Sequence, residues 1–443
     1  MAEQRFDALV VGSGPAGSVA ALVLARGGAR VALVDKSGFP RDKACGDLVG
    51  PRGVQLLHDL GIDMTRARRA GDMVVVGPTG RTVRLPCFPG VTYPGYAVVS
   101  ARTELDALLH DSAVSAGAHP LVARVERPMS RDGLAGFELS SGDVVTADVV
   151  IGADGATSRV AAAAGLVDDE RVLWGFALRA YVDAEIATPR IFLWEPEPWR
   201  AFPGYGWAFP GGVDGGANVG LGIGMLADRA AAARVTRDFD AFLAHLDRSG
   251  LAGHARAGAV PRRLGGWLKM GMVGTVPALG RVLLVGDAAG LVNPLQGEGI
   301  SQAMASGRAA AESVLAGPGT AARRYRGFLA ETLLPYQSVA APVHAALLLR
   351  PHAVAATGRL LTAPGLGRAL AGGWSIFWND LLDGARPAPS RTVATAALRA
   401  GRAITARSRT RRQLTRDVTR GDARTTRVVP CVTARPSMRP PSG

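Results

Sequence analysis

A glycine-rich turn near the N-terminus restricts the fold of this chain more than any other feature. It follows a short apolar run with strand character, residues 7–11, and precedes a segment rich in Ala and Leu with helical character. A second apolar run ends at Asp35, 23 positions after Gly12. A strand, a glycine turn, a helix and a second strand with a terminal acidic residue predict a βαβ unit that binds a dinucleotide. The residues of the turn are Gly12, Ser13, Gly14, Pro15, Ala16 and Gly17.

Each part of this pattern has a physical role. Glycines allow the backbone to approach a pyrophosphate, and the positive end of the helix dipole favours its negative charge. The carboxylate of Asp35 is expected to accept a hydrogen bond from a ribose hydroxyl. A structural turn in an unrelated α/β protein is the alternative, and the pattern does not distinguish FAD from NAD.

A second glycine-bearing turn favours FAD. Residues 281–285 form an apolar run that ends just before Asp287, and a turn that ends at Gly299 and Ile300 opens a predicted helix. We expect Asp287 to bind the ribityl hydroxyls of a flavin. The backbone N–H groups at the start of the helix would face the pyrimidine edge of the flavin ring and favour negative charge there. Asp154 follows another apolar run and is a third candidate, with a plain hairpin turn as its alternative.

Length and composition exclude several other classes of protein. A chain of 443 residues, 48% of them apolar, is long enough for one large or two interleaved domains. Three cysteines are too few for a disulfide framework, and neither they nor the seven histidines show metal-ligand spacing. We therefore expect no metal site and a reducing, cytoplasmic location. We find no secretory signal, and no stretch reaches the roughly 18–20 apolar residues that a membrane-spanning helix needs.

The positive charge is concentrated at the C-terminal end. The net charge is +14, and residues 401–443 hold eleven arginines against Asp417 and Asp422. From about residue 384 the composition shifts to Arg, Thr, Ser and Pro without apolar periodicity, so we predict a disordered tail. Its charge alone would attract lipid headgroups or nucleic acid, but it lacks the interleaved aromatics of a base-stacking surface. We expect no specific nucleic-acid partner and a solvated tail without a role in the function.

Six motifs in a shared order make the chain similar to a known family. It resembles the geranylgeranyl-reductase family within the p-hydroxybenzoate-hydroxylase-like flavoproteins, over about residues 5–385. The segment WSIFWNDLLDGA at 374–385 and the overall length are most similar to bacterial menaquinone reductases, which saturate one isoprene unit of the quinone tail. The six motifs are VVGSGPAGS (10–18), KACGD (43–47), ARTELDALL (101–109), IGADGATSRV (151–160), PGYGWAFP (203–210) and GDAAGLVNPLQGEGI (286–300).

The resemblance implies FAD as the cofactor and an α/β fold with added antiparallel strands. Arg102 would contact FAD, and Ala44, Cys45, Gly46 and Asp47 would line the cofactor near its ring. The alternative for Cys45 is a small buried residue that fills a gap. The predicted regions are a Rossmann-like FAD-binding domain (1–70, 98–165 and 275–330), an antiparallel β-sheet substrate domain (71–97 and 166–274), a C-terminal helical region (331–383) and the basic tail (384–443).

An aromatic segment in the middle of the chain is the candidate substrate site. Six aromatic residues lie between Trp194 and Phe209, in a chain with 6% aromatic residues. Tyr205, Trp207 and Phe209 alternate, so on a strand they share one face. The segment is either a wall of the sheet core or an apolar slot for an isoprenoid beside the flavin.

Two departures from related flavoproteins favour a reductase over an oxygenase. The sequence Tyr205-Gly206-Trp207 stands where related halogenases have Trp-x-Trp-x-Ile. Gly290 stands where hydroxylases of the wider group usually have His. We therefore predict an FAD-dependent reductase of an isoprenoid carbon–carbon double bond. A flavin monooxygenase or epoxidase is one alternative, and a membrane-associated flavin electron-transfer or binding protein is the other.

The predicted catalytic residues are Cys45, Tyr205 and Trp207. Reduced flavin would supply a hydride, and an aromatic face of Trp207 or Tyr205 would stabilise the cationic carbon. Tyr205, Cys45 or an ordered water would donate the proton.

The expected partners are a polyprenyl lipid and a transient electron donor, NAD(P)H or a small redox protein, because the sequence has one dinucleotide fingerprint. Apolar helical segments between residues 339 and 378 would either lie on the inner face of the membrane or cap the substrate cavity.

Overall fold

Two large sheets and a series of C-terminal helices make up the described part of the chain. The computed structural model describes residues 3–90, 92–131, 133–211, 216–225, 232–250, 262–348, 350–379 and 388–419. Its strands are β1 (Glu3–Val11), β2 (Val31–Asp35), β3 (Leu48–Val49), β4 (Arg68–Ala70), β5 (Asp72–Val76), β6 (Thr82–Pro86), β7 (Ala97–Val99), β8 (His119–Val122), β9 (Val125–Arg131), β10 (Leu134–Leu139), β11 (Val144–Gly152), β12 (Leu173–Val182), β13 (Arg190–Phe192), β14 (Gly204–Pro210), β15 (Ala217–Met225), β16 (Arg263–Met270), β17 (Ala278–Leu279) and β18 (Val282–Leu284). Its helices are α1 (Pro15–Arg26), α2 (Pro51–Asp59), α3 (Arg102–Ser115), α4 (Arg159–Ala163), α5 (Ala232–Arg248), α6 (Ile300–Leu315), α7 (Ala321–Thr332), α8 (Leu334–Leu348), α9 (Pro351–Leu361), α10 (Gly367–Asn379), α11 (Ala388–Thr405) and α12 (Arg409–Thr419).

The first sheet is the frame of the dinucleotide turn. Its strand order is β17-β18-β11-β1-β2-β8, with the β9–β10 hairpin attached to β11. Strands β18, β11, β1, β2 and β8 are parallel to one another, whereas β17 and β10 pair with them antiparallel. Leu9 and Val10 of β1 are fully buried, as expected for parallel strands covered on both faces. Because parallel strands end at the same edge, this edge receives Gly12, Asp35 and Gly286.

Helices α1 and α6 pack closely against each other on this sheet. A Cβ on Gly307 of α6 would overlap the carbonyl oxygen of Ala16 in α1. A Cβ on Gly286 would lie 3.1 Å from the Cβ of Ala16. Because Gly286 and Gly307 have no side chain, the first turn of α1 packs directly against α6.

The second sheet is largely antiparallel and has two different faces. Its strand order is β16-β12-β15-β14-β13-β5-β6. Helix α5 covers one face, where the ring of Phe242 lies directly over Gly206 of β14. Alternation along β14 directs Tyr205 and Trp207 to the opposite face. On that face Asn218 of β15 contacts the loop at residues 44–47, so the second sheet lies against the carboxyl edge of the first.

The strands of the two sheets interleave along the chain. Those of the first sheet come from residues 3–35, 119–152 and 278–284, and those of the second from residues 72–86 and 173–270. The predicted α/β fold with an added antiparallel sheet and C-terminal helices is confirmed. Helix α5 spans Ala232–Arg248, and residues 226–231 lie outside the described residues. A small sheet of β3, β7 and β4 was not predicted.

The prediction of a disordered tail from residue 384 is wrong for residues 388–419. These residues form α11 and α12, which pack against α10, α8 and α7. Ala394 of α11 is fully buried, and so are Leu414 and Val418 of α12. Few apolar residues are present, but Leu414 and Val418 have the four-residue spacing of one helix face. Asp417 also accepts a hydrogen bond of 2.7 Å from Arg171. Residues 420–443 lie outside the described residues.

Helices α8 and α9 form a bent apolar pair in the C-terminal region. Within the described ranges, no single helix is long and apolar enough to cross a membrane. Helices α8 and α9 pass that test of length and hydropathy when taken together, with a bend of 117° between them.

Candidate functional site

The glycine turn after β1 is enforced by close backbone contacts. Gly12 has a φ of +98°, and a Cβ there would overlap the carbonyl oxygen of Ala153, which follows β11. A Cβ on Gly17 would overlap the carbonyl oxygen of Gly12. The Ala153 N–H donates to the carbonyl of Val11 at 2.7 Å. Glycine is thus the residue that permits this turn at both positions.

The first turn of α1 is suited to an anion. Its N-cap residue, Gly14, provides no side-chain cap, and the first helical turn has no acidic residue. The guanidinium of Arg41 lies beside this end, since a Cβ on Gly14 would be 3.5 Å from its Nη2. Backbone N–H groups, the helix dipole and an arginine together favour a diphosphate at this position.

Asp35 lies at the end of β2, as predicted. Its Oδ2 accepts a hydrogen bond of 2.7 Å from the Ser13 N–H, and its Oδ1 accepts one of 3.0 Å from the Ser37 N–H. These bonds fix the carboxylate beside the glycine turn. Binding of a ribose hydroxyl by this carboxylate stays a prediction.

Arg102 is buried in an ion pair at the start of α3. Its Nε and Nη2 donate to the two carboxylate oxygens of Asp106, each at 2.7 Å. Burial has the largest single effect on Arg102 and acts to lower its pKa, but the charges of Asp106 and Cys45 and the hydrogen bonds to them together outweigh burial, so the pKa is raised. The guanidinium also interacts with the thiol of Cys45. Arg102 therefore joins α3 to the loop at residues 44–47.

The loop at residues 44–47 is held by side chains from the second sheet. The hydroxyl of Tyr181 donates to Oδ2 of Asp47 at 2.6 Å, and Nδ2 of Asn218 donates to the same oxygen at 2.7 Å. Nδ2 of Asn218 also donates to the carbonyl of Cys45 at 2.8 Å. Burial raises the pKa of Asp47, although these two hydrogen bonds act to lower it.

Two groups in this loop remain available for proton transfer or ligand binding. Burial raises the pKa of the Cys45 thiol, with Arg102 acting in the opposite direction. Oδ1 of Asp47 is buried without a hydrogen-bond partner among the described residues. Since an unpaired buried acceptor is costly, Asp47 is suited to accept a hydrogen bond from a bound group.

The aromatic strand β14 links this loop to the second glycine-bearing turn. Nε1 of Trp207 donates to Oδ1 of Asn218 at 3.0 Å. The Phe209 ring lies over Gly46, whose Cβ would be 2.8 Å from it. The Tyr205 hydroxyl donates to the carbonyl of Gln296, and burial raises the pKa of Tyr205. The predicted shared face of Tyr205, Trp207 and Phe209 is confirmed.

Two lysines contact the second glycine-bearing turn. Nζ of Lys43 donates to Oδ2 of Asp287 at 3.1 Å, and Nζ of the buried Lys269 donates to the carbonyl of Ala288 at 3.1 Å. Helix α6 follows at Ile300, and its N-cap residue Gly299 provides no side-chain cap. This uncapped helix end is the second anion-favouring position along the same edge.

Several predicted residues have other surroundings than expected. The Asp154 carboxylate accepts hydrogen bonds from the Ser158 hydroxyl (2.5 Å) and the Arg159 N–H (2.6 Å) at the start of α4. Trp194 and Phe202 lie in the core beneath α5, and Trp199 is 52% exposed. The alternative of a wall in the sheet core therefore holds for Trp194 and Phe202, whereas Trp199 lies neither in that core nor on the face shared by Tyr205, Trp207 and Phe209.

Sequence reasoning missed Asn218, Tyr181 and Lys269. Asn218 and Tyr181 join the site through strand register, since they are paired across β15 and β12. Lysine usage was an available signal for Lys269. The chain has lysines at positions 36, 43 and 269 alone, among many arginines, and two of the three contact the turn at residues 286–289.

Comparison with known proteins agrees with this geometry. Residues 5–176 match the FAD binding domain family. The chain is 37% identical over 333 residues to the menaquinone reductase of Mycolicibacterium smegmatis. The matched region covers 71% of this chain and 77% of that protein. It is 33% identical over 327 residues to the geranylgeranyl diphosphate reductase of Rhodobacter capsulatus, covering 70% of this chain and 75% of the relative.

Solved structures share the fold. A geranylgeranyl bacteriochlorophyll reductase-like protein from Thermoplasma acidophilum superposes with a TM-score of 0.68 at 20% identity, covering 94% of this chain and all of the other. A flavin-dependent brominase gives a TM-score of 0.63 at 18% identity, covering 90% of this chain and all of the other. The fold and the site thus define an FAD-dependent oxidoreductase. The chain belongs to the geranylgeranyl reductase family, whose members include the menaquinone reductases.

FAD is therefore the cofactor, and the residues of the site fit it. The uncapped starts of α1 and α6 face one edge of the first sheet. Oδ1 of Asp47, buried and without a hydrogen-bond partner among the described residues, offers an acceptor for a polar group of the cofactor.

Proposed function

We propose that the protein saturates a carbon–carbon double bond in an isoprenoid chain, and that this chain is the polyprenyl tail of menaquinone. One observation carries the proposal beyond the family. Cys45 and Trp207 are joined through Asn218, which bonds the Cys45 carbonyl at 2.8 Å and the Trp207 indole at 3.0 Å. A proton-bearing side chain and an aromatic side chain are thus fixed relative to each other beside the FAD site.

An isolated alkene needs a hydride at one carbon and a proton at the other. FAD, when reduced and bound, supplies the hydride. We assign Arg41 and the start of α1 to the diphosphate of FAD, Asp35 to its ribose and Asp287 to its ribityl chain. Gly299 and Ile300 hold the pyrimidine edge of its ring. We assign Asp47 to a polar group of the same cofactor, because its Oδ1 has no partner among the described residues.

Trp207 stabilises the cationic carbon of the substrate. Its indole N–H is occupied by Asn218 at 3.0 Å, which fixes the plane of the ring. A cation over an indole face in a dry site gains up to about 2 kcal/mol. Burial of Trp207, 5% exposed, excludes water from that contact.

Cys45 holds the proton at Sγ. Burial raises its pKa, so the thiol remains protonated at neutral pH and is available as an acid. Tyr205 is the less suitable donor, because its hydroxyl already donates to the carbonyl of Gln296. We assign Tyr205 to the positioning of the turn at residues 296–297, where a Cβ on Gly297 would be 2.7 Å from the Tyr205 hydroxyl.

The electrons come from a transient donor, NAD(P)H or a small redox protein. The single dinucleotide fingerprint in the sequence supports this part of the proposal. The protein works in the cytoplasm at the inner face of the membrane, because a polyprenyl substrate resides in the bilayer.

Anaerobic turnover tests the reaction. The FAD-loaded protein is incubated with dithionite and menaquinone in detergent, and the lipid is analysed by mass spectrometry. Because dithionite also reduces the quinone ring, the ring is reoxidised in air before analysis, and we then expect a gain of two hydrogens in the polyprenyl tail after the anaerobic incubation. An oxygen-dependent gain of one oxygen atom would instead establish the monooxygenase alternative. An unchanged quinone in the presence of fully reduced FAD would leave the electron-transfer alternative.

A further inference from the structure

A cleft of about 490 Å³ lies at the edge of the second sheet, away from the FAD site. Strand β6 is the last strand of that sheet and forms one wall. The segment between α9 and α10 forms the other, with Thr362 packed on Gly77, whose Cβ it would overlap. The residues that decide the chemistry of the cleft are Arg81, Arg84 and Arg368.

The charge of the cleft is strongly positive. All three arginines are exposed. Arg84 is paired with Asp72, whose Oδ2 lies 2.5 Å from its Nε. Among the described residues no carboxylate pairs with Arg81 or Arg368. Guanidinium groups match phosphate oxygens in a planar, bidentate geometry, so the chemistry selected here is a phosphate group.

Exposed apolar side chains lie in or next to the chain segment that forms the second wall of the cleft. Leu360 at the end of α9 is 54% exposed, and Leu366 in the segment before α10 is 65% exposed. Ala355 and Gly358 form the buried side of α9, where Gly358 meets Leu193. Helix α9 therefore has its apolar Leu360 on the side that faces away from the protein.

Trp199 extends this apolar surface. It is 52% exposed, and the Arg359 guanidinium of α9 lies over its ring at 4.0 Å from the ring centre. Of the seven large apolar residues that are exposed within the described ranges, three lie on α9, against it or directly after it. A soluble phosphate compound would leave these side chains in water, whereas a lipid bilayer would cover them.

We propose that this surface docks the protein on a bilayer that contains anionic phospholipid. Arg81, Arg84 and Arg368 bind lipid phosphates in the cleft, while Leu360 and Leu366 enter the boundary between headgroups and acyl chains. The proposal rests on the proposed function for its biological sense, because an isoprenoid lipid must be taken from a membrane. The path of the chain is consistent with this proposal. Helix α8 directly precedes α9 and packs His344 over Gly224 of the second sheet, so the docking surface is connected to the sheet that carries Trp207.

Vesicle binding tests this surface. The FAD-loaded full chain is sedimented with vesicles of phosphatidylcholine alone or mixed with phosphatidylglycerol. We expect preferential binding to the anionic vesicles, and about fivefold loss of the partition coefficient for each arginine removed, hence about 25-fold for R81Q/R368Q at low salt. L366S should reduce binding at high salt as well, where the arginine contribution is screened.

The matched control is R402Q/R409Q, two exposed arginines of α11 and α12, which should lose less than fivefold. Thermal unfolding and flavin content verify that each variant is folded. Equal binding to both vesicle types, or the same loss in the control as in R81Q/R368Q, would overturn the proposal.

Turnover with detergent-solubilised menaquinone separates this proposal from the proposed function. R81Q/R368Q should keep wild-type turnover there, because the cleft lies outside the FAD site. Loss of turnover in detergent equal to the loss on vesicles would contradict docking as its role. Anionic vesicle binding by a wild-type protein that reduces no alkene would leave the docking surface intact and remove the proposed function.

Discussion

The two halves of the site are shaped by different kinds of contact, backbone in one and side chains in the other. The half along the first sheet is shaped by backbone, because Gly12, Gly17 and Gly286 occupy positions where a Cβ would meet neighbouring atoms. The half along the second sheet is shaped by side chains, which form hydrogen bonds across strands from Cys45 to Trp207. Binding of FAD should therefore depend on steric fit at a few glycines. Catalysis should depend on a hydrogen-bond network in which each single substitution lowers turnover only partially.

The largest expected effect comes from Gly12→Ala. The new Cβ would overlap the carbonyl of Ala153, at a φ of +98° that alanine rarely adopts. We expect nearly complete loss of FAD, measured as flavin absorbance per protein after purification. Gly28→Ala is the matched control, since Gly28 has a φ of +82° with open space around it. It should cost about 1 kcal/mol of stability and keep FAD, so flavin loss in both variants would refute a steric cause.

Trp207→Ala should damage catalysis without removing FAD. Loss of about 2 kcal/mol of cation–π stabilisation corresponds to about thirtyfold in turnover. Trp207→Phe keeps an aromatic face and should lose less. Turnover and flavin content are measured on the same samples. A proportional fall in both would assign Trp207 to the structure of the FAD site and erase the distinction between the two halves.

Asn218→Ala should give an intermediate loss. The substitution leaves the buried Trp207 indole and Cys45 carbonyl without this partner, at about 1–3 kcal/mol for each buried group left unsatisfied. We expect lower unfolding stability in urea and about tenfold lower turnover, with FAD retained. Asn218→Asp keeps the acceptor for the indole but loses the donor to the Cys45 carbonyl and to Asp47, and it places a second carboxylate beside Asp47. If it behaved as wild type, the bond to the Cys45 carbonyl would have no role in the network.

The smallest effect on activity, but a distinct effect on stability, is expected from His344. Burial lowers its pKa to about 4, whereas an unfolded histidine has a pKa of about 6.5. The unfolded chain therefore binds more protons between these values, and stability falls as the pH is lowered through this range. At pH 5 the loss relative to pH 7 is about 2 kcal/mol.

Urea unfolding of wild type and His344→Leu at both pH values isolates this contribution, since the buried acidic groups are common to both proteins. The variant should lose less stability on acidification. An identical pH dependence in both would show that His344 titrates normally in the folded protein.

The backbone half of the site was predictable from the sequence. In the side-chain half, Cys45 and Trp207 were predicted, but the hydrogen bonds that join them through Asn218 were not. The glycine turn, Asp35 and the start of α6 are local patterns whose geometry follows from consecutive residues. Asn218 is 171 positions from Asp47, which it bonds at 2.7 Å. Such a contact depends on the register of β15 and on the placement of one sheet against another, which no local pattern encodes.

Two further misses have similar physical causes. Residues 388–419 have few apolar side chains, so their composition suggested disorder, but Ala394 and Leu414 become buried because α8 and α7 offer matching surfaces. Trp194 and Phe202 were grouped with Trp207 by proximity in sequence. Helix α5 provides a second aromatic environment on the other face of the sheet, and Trp194 and Phe202, which lie between β13 and β14, pack there.

The contact of Gly307 with the carbonyl of Ala16 has a mechanical consequence. It locks two helices into one rigid strut, with one cofactor-binding turn at the head of each. The packing of the two helices therefore fixes the distance between those turns before a ligand binds. A molecule whose length does not match this distance cannot contact both turns. We therefore expect exchange of FAD to leave the packing of α1 against α6 unchanged.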